Sequence, residues 1–145
     1  MRLVFILTSM LFFGSVYSQQ EFTTKKILNS EGSKLNVSHF DLYLTEVYLT
    51  EVSYLHLNNS RHYNKLLDLI QNRISISKIP FDASEKYENT LYIPLLNTYN
   101  SKLEYDSEFD INTFNPFKYQ LNFFSKLTKI YRIAHSDYIL IINPN

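Results

Sequence analysis

Between Glu104 and Asp110 the chain reads Glu-Tyr-Asp-Ser-Glu-Phe-Asp, with a carboxylate at every second position. Side chains on a strand alternate between faces, so this spacing would bring Glu104, Asp106, Glu108 and Asp110 to one face, neighbours about 7 Å apart. Four like charges in a row require solvent, cationic partners or a bridging metal ion. Calcium suits such a set because it accepts several carboxylate oxygens in flexible geometry. Asp106, Glu108, Asp110 and Asn112 also match the first ligand positions of an EF-hand loop, but Ile111 replaces the turn glycine and Phe117 the bidentate glutamate. The ladder is thus a candidate calcium site, weighed against the solvated outer face of an edge strand, where charge discourages edge-to-edge pairing. Lys118, Lys126, Lys129 and Arg132 follow on neighbouring expected strands and would offset part of the repulsion.

The other residues able to do chemistry are scattered. His39 with Asp41 and His135 with Asp137 form His-x-Asp pairs, while His56 and His62 flank an Asn-rich break. Zinc needs three or four converging ligands, and no His-x-x-x-His or Glu-paired motif is present, so these read as turn or surface histidines. There is no cysteine, hence no thiol nucleophile. With two glycines in the whole chain there is no Gly-x-Ser-x-Gly elbow, and neither a dinucleotide nor a P-loop phosphate cradle can be built. No cofactor is expected beyond the calcium considered above. Asn36-Val37-Ser38 and Asn58-Asn59-Ser60 match the N-glycosylation pattern, which arises often by chance in a chain this rich in Asn.

These residues sit in a chain that reads as exported. Arg2, an apolar run from Leu3 to Phe13, and the small residues Val16 and Ser18 follow the order of a secretory signal peptide, residues 1–18, with cleavage before Gln19. The destination is the periplasm or the exterior. No later apolar run approaches the roughly 18–20 residues a bilayer requires, so no membrane span is expected in the mature chain. Removing residues 1–18 from 145 leaves the length of one domain, residues 19–145. The 14 basic and 14 acidic residues balance, and no Lys or Arg run occurs, which argues against nucleic acid as a partner. Without disulfides, stability must come from packing, and 12 Tyr and 11 Phe can supply it. Beyond residue 18 only Gly32 remains, so turns must be built from Asn, Asp and Ser.

The pattern of elements follows. Glu21 to Leu28 suits a strand, closed by the polar turn cluster Asn29 to Ser33. From Ser38 to Leu57, propensity favours strand, but Val37, Phe40, Leu44, Val47, Tyr48, Val52 and Leu55 keep helical spacing, interrupted by Glu51, over a stretch too long for a strand; a helix is expected. Behind the caps Asn58, Asn59 and Ser60, Tyr63, Leu66, Leu67, Ile70 and Ile74 define one face of a second helix. Ile74 to Ser77 alternates as a short strand ending before Pro80, and Asp82 to Glu85 has capping-box spacing. Five strands are expected afterwards: Leu91–Leu96, Leu103–Phe109, Lys118–Phe124, Lys129–Ala134 and Tyr138–Asn143. Residues 125–128 and 135–137 would join neighbours as hairpins. Tyr138 to Ile142 has no polar position and should lie inside the sheet. The expected fold class is α+β, with N-terminal helices packed on a mainly antiparallel sheet, open to curvature, formed by the C-terminal half.

With no motif of any enzyme class, the reading favours a non-enzymatic exported module that binds a protein, peptide or small apolar ligand through exposed tyrosines, which give contact area at low entropic cost. The alternative is a small extracytoplasmic hydrolase or lyase whose His, Asp or Glu residues meet in a pocket of a curved sheet.

Overall fold

In the computed structural model, residues 33–52 and 59–144 are described, all within the second of the chain's two units, Gly32–Asn145. The signal peptide expected at residues 1–18, the strand expected at Glu21 to Leu28, most of the turn cluster after it and the end of the first expected helix lie outside them.

Helix α1 spans Phe40–Tyr48 and buries Phe40, Tyr43, Leu44, Val47 and Tyr48, the single stripe that the spacing requires. It is entered through a 3-10 turn, Val37–His39, whose leading Asn36 side chain accepts from the Ser38 amide at 3.0 Å. The expected helix from Ser38 to Leu57 does not run through. Leu49 takes φ 51° and ψ −127°, and the chain turns through a second 3-10 turn, Leu49–Glu51. Glycine is the usual occupant of that backbone region, and none is available here.

Helix α2, Ser60–Asp68, begins where the caps place it, with the Asn59 side chain accepting from the His62 amide at 3.3 Å. It closes in a π-turn, Leu69–Arg73, that buries Leu69, Ile70 and Arg73. Strand β1, Ile74–Lys78, follows without a loop. The short helix α3, Phe81–Ser84, starts two residues before the capping-box reading: Pro80 and not Asp82 stands at its cap, and Asp82 lies in its first turn. Strands β2 (Glu88–Asn89), β3 (Lys129–Arg132) and β4 (Tyr138–Ile142) complete a four-stranded sheet ordered β1-β4-β3-β2.

The fold is α+β and the sheet is mainly antiparallel; β4 pairs antiparallel with both β1 and β3, and only the short β2–β3 contact is parallel. Register sets Ile74 against Ile142 and Ile76 against Leu140 on one side, and Tyr131 against Leu140 on the other. The wholly apolar β4 lies inside the sheet with Ile139 to Ile142 buried, as its composition demands. The hairpin at residues 135–137 forms, with His135 at φ 55°.

Three expected strands are absent as strands. Leu91–Leu96 is a 3-10 turn, Thr90–Tyr92, followed by irregular chain, and Leu103–Phe109 is irregular throughout. Lys118–Phe124 makes only the isolated bridge Leu95↔Tyr119, so residues 125–128 join no hairpin. The sequence alternates there, Tyr119, Leu121 and Phe123 against Lys118, Gln120 and Asn122; burial follows this from Tyr119 onward, but Lys118 is buried too. The Leu121 amide donates to the Tyr119 carbonyl at 2.8 Å and the Phe123 amide to the Leu121 carbonyl at 3.0 Å. Successive three-residue turns of this kind keep a side-chain period near two while satisfying their amides locally, which imitates a strand in sequence.

Asx and Ser turns shape the long connection from β2 to β3. Side-chain oxygens of Asn89, Asn100, Asp110, Asn115 and Ser125 each accept from the amide two residues on. Aromatic rings fill the space beneath, with Phe40 edge-on to both Tyr63 and Phe117, and Phe109 between Phe114 and Tyr138. One hydrophobic cluster joins Leu44 and Val47 of α1, Leu66 of α2, and Ile74, Ile76, Tyr131 and Leu140 of the sheet.

Candidate functional site

The acidic ladder is dispersed. Because residues 103–110 are irregular, the four carboxylates do not share a strand face; Glu104, Glu108 and Asp110 are exposed and Asp106 half-buried. Asp106 accepts from the Lys118 ammonium at 2.6 Å and from the Tyr119 hydroxyl at 2.9 Å. Asp110 accepts from the amide and the side chain of Asn112. Among the described residues no three His, Asp or Glu side chains converge as a metal-ligand set.

Around Asp106 lies a polar network that ties the long connection to α1. Lys118 is buried and also stands 3.5 Å from Glu46. Glu46 in turn accepts from the Asn115 amide group at 2.9 Å, and the same nitrogen donates to the Tyr43 carbonyl. Burial, then the Asp106 charge and hydrogen bond, push the Tyr119 hydroxyl well above the ordinary phenol range. Burial, then the charges of Asp110 and Glu46, push Tyr43 in the same direction. These phenols stay protonated at neutral pH, and the network acts as a clamp.

The histidines are dispersed too. His39 Nδ1 is 3.0 Å from the Asn112 carbonyl oxygen, and its ring meets Tyr43 edge-on. Its neighbour Asp41 accepts from the Tyr63 hydroxyl at 3.1 Å. His135 sits in the β3–β4 turn, and His56 lies outside the described residues.

His62 faces a groove of about 420 Å³ between the end of α1, the start of α2 and residues 96–99. Tyr48, Leu96 and Tyr99 provide its apolar wall, and Glu51, Asn59, His62 and Thr98 its polar groups. The geometry of the wall follows from local turns. The Leu49 reversal ends α1 with Tyr48 turned inward, and the Asn100 amide group donates to the Glu46 carbonyl at 2.7 Å, pinning the turn that carries Tyr99. The two rings then meet at 5.1 Å between centroids, Tyr48 buried and Tyr99 49 % exposed. Burial, aided by the charge of Lys65, lowers the His62 pKa below the ordinary imidazole range. Burial and Tyr99 raise the Tyr48 hydroxyl. The groove therefore presents a neutral imidazole and the protonated Tyr48 phenol, with the Tyr99 ring and the Glu51 side chain beside them, a surface suited to a ligand with an apolar body and a few hydrogen-bonding groups.

Exposed tyrosines are expected from the sequence, but nothing in it singles out Tyr48 or Tyr99; the turn at Asn100 is the local signal that Tyr99 is held in place. The chain matches no protein-family model, no curated protein and no solved structure.

Proposed function

We propose that this protein is an exported, non-catalytic binding module that receives a peptide or small apolar ligand on the Tyr48–Tyr99 surface. The observation that carries the reading is the ring of Tyr99, half in solvent yet held by a tilted contact with a buried tyrosine, 43° between the ring planes, and by the Asn100 tether. An aromatic surface held in place before binding loses little side-chain entropy when a ligand covers it. The test is an NMR titration of the ¹⁵N-labelled protein with p-cresol and a short tyrosine-containing peptide, repeated on Tyr99→Ala. Export rests on the order of charged, apolar and small residues in segment 1–18. Intact mass of protein recovered outside the cytoplasm checks it: a start at Gln19 supports export by this signal, and a mass retaining residues 1–18 contradicts it.

One observation favours a second reading, a small hydrolase. His62, held neutral, and Glu51 line the same groove, and a neutral imidazole is a competent general base. Hydrolysis of p-nitrophenyl acetate above the buffer rate, abolished in His62→Gln, would establish it over the binding module.

A further inference from the structure

The opposite flank of α2 carries a second groove, of about 740 Å³, lined by Ser60, Arg61, Asn64, Lys65, Asp68 and Arg73 and bounded by Phe124. Its base is unusual in charge. Arg73 is only 6 % exposed, yet its guanidinium is braced by two backbone carbonyls and by no carboxylate among the described residues: Nε donates to the Asn143 carbonyl at 3.0 Å and Nη2 to the Phe123 carbonyl at 2.8 Å. A guanidinium carries five N–H donors, so the remaining ones have no protein acceptor among the described residues. A buried cation without a counter-charge is costly, and it is stabilised by an anion brought to it.

The groove wall is arranged to help. Arg61 and Lys65 are four residues apart and so share one face of α2, both exposed. Asp68, the carboxylate of the groove, already accepts from the Asn72 side chain at 2.8 Å. Three cations against one carboxylate leave an excess of two positive charges. Ser60 and Asn64 add neutral hydrogen-bonding groups along the same helix face. At the rim, the Lys65 ammonium stands 5.8 Å from the centroid of Phe124, a ring 53 % exposed. The Arg73 bond to the Phe123 carbonyl fixes the backbone beside that ring, so the cation at the base and the apolar platform at the rim are held by one contact.

We propose that this groove binds a phosphate-type dianion attached to a flat apolar body: the anion on Arg73, Arg61 and Lys65, the body on Phe124. The charge excess matches a dianion, and guanidinium groups pair with phosphate through parallel hydrogen bonds. The volume lies within the roughly 300–1,000 Å³ range of small-molecule sites, larger than a free phosphate needs, so the anion occupies one end.

Isothermal titration of the full chain at low ionic strength, with phenyl phosphate, inorganic phosphate and benzoate, tests this. Phenyl phosphate should bind tightest, and benzoate about tenfold or more weakly because it carries a single charge. The double variant Arg61→Gln/Lys65→Gln changes two exposed side chains and leaves the braced Arg73 intact; it should lose about tenfold or more in phenyl phosphate affinity with its melting temperature unchanged. Phe124→Ala should remove the advantage of phenyl phosphate over inorganic phosphate. Absence of heat with all three probes at millimolar concentration, or affinity unchanged in the double variant, would overturn the site. Tighter binding of benzoate than of phenyl phosphate would overturn the dianion assignment.

Discussion

Lys118 and Asp106 meet at 2.6 Å with the lysine side chain 7 % exposed and the aspartate 32 % exposed, which makes this pair the buried anchor of the long connection between β2 and β3. Removing one partner of such a pair leaves a charge in low dielectric, whereas exposed pairs contribute little. Because Asp106 retains partial access to water, Asp106→Asn should cost about 1–3 kcal/mol, between those limits. Glu46→Gln should cost less, since its contact with Lys118 is longer, at 3.5 Å, and its side chain 43 % exposed. Urea denaturation orders the two variants; equal or reversed losses would show that Asp106 is not the principal partner.

Leu49 gives the opposite sign. Its side chain is 46 % exposed, so it has little packing to lose, while its backbone at φ 51° and ψ −127° lies where residues with a Cβ are strained by about 1–3 kcal/mol. Glycine relieves that strain but loosens the unfolded chain by about 0.4–1 kcal/mol. Leu49→Gly should therefore leave the protein as stable or more stable by about 1 kcal/mol, read from the same denaturation curves. A loss above that amount would mean that the reversal after α1 is not strained.

The pH dependence follows from groups shifted in opposite directions. His62 has its pKa lowered by burial and by Lys65, so the unfolded chain binds its proton more readily than the folded one. Its stabilising contribution is complete above about pH 6.5 and is lost as the pH falls through the lower folded value. Tyr43, Tyr48, Tyr63 and Tyr119 are raised, so their contribution is complete below about pH 10 and is lost as the pH rises through their folded values. Melting temperature should thus fall on both sides of a neutral plateau, and His62→Gln should flatten the acid side. An NMR titration placing the His62 pKa at or above the ordinary range would contradict the described burial.

Much of this fold was legible where burial on one face dictates composition. The stripe from Phe40 to Tyr48, the Asn59 cap with the apolar face behind it, and the uninterrupted run Tyr138 to Ile142 all took the structures their patterns required. Each failure has its own local cause. In Lys118–Phe124 the period-two signal came from consecutive local turns, and in Leu103–Phe109 the alternating carboxylates occupy irregular chain anchored through Asp106. Leu49 broke a helix whose sequence holds no breaker, because a chain poor in glycine places other residues at such reversals. The groove was illegible for a different reason: Tyr48 and Tyr99 are brought together by tertiary packing, and only the Asn100 turn beside one of them leaves a local trace.

The most direct measurement on the binding proposal is the backbone amide NMR titration with p-cresol and a tyrosine-containing dipeptide amide. The account predicts saturable shifts confined to residues 96–99 and to the neighbourhood of His62 and Tyr48, abolished by Tyr99→Ala with the remaining spectrum preserved. Shifts spread evenly over the surface, or a saturable response that persists in Tyr99→Ala, would contradict it.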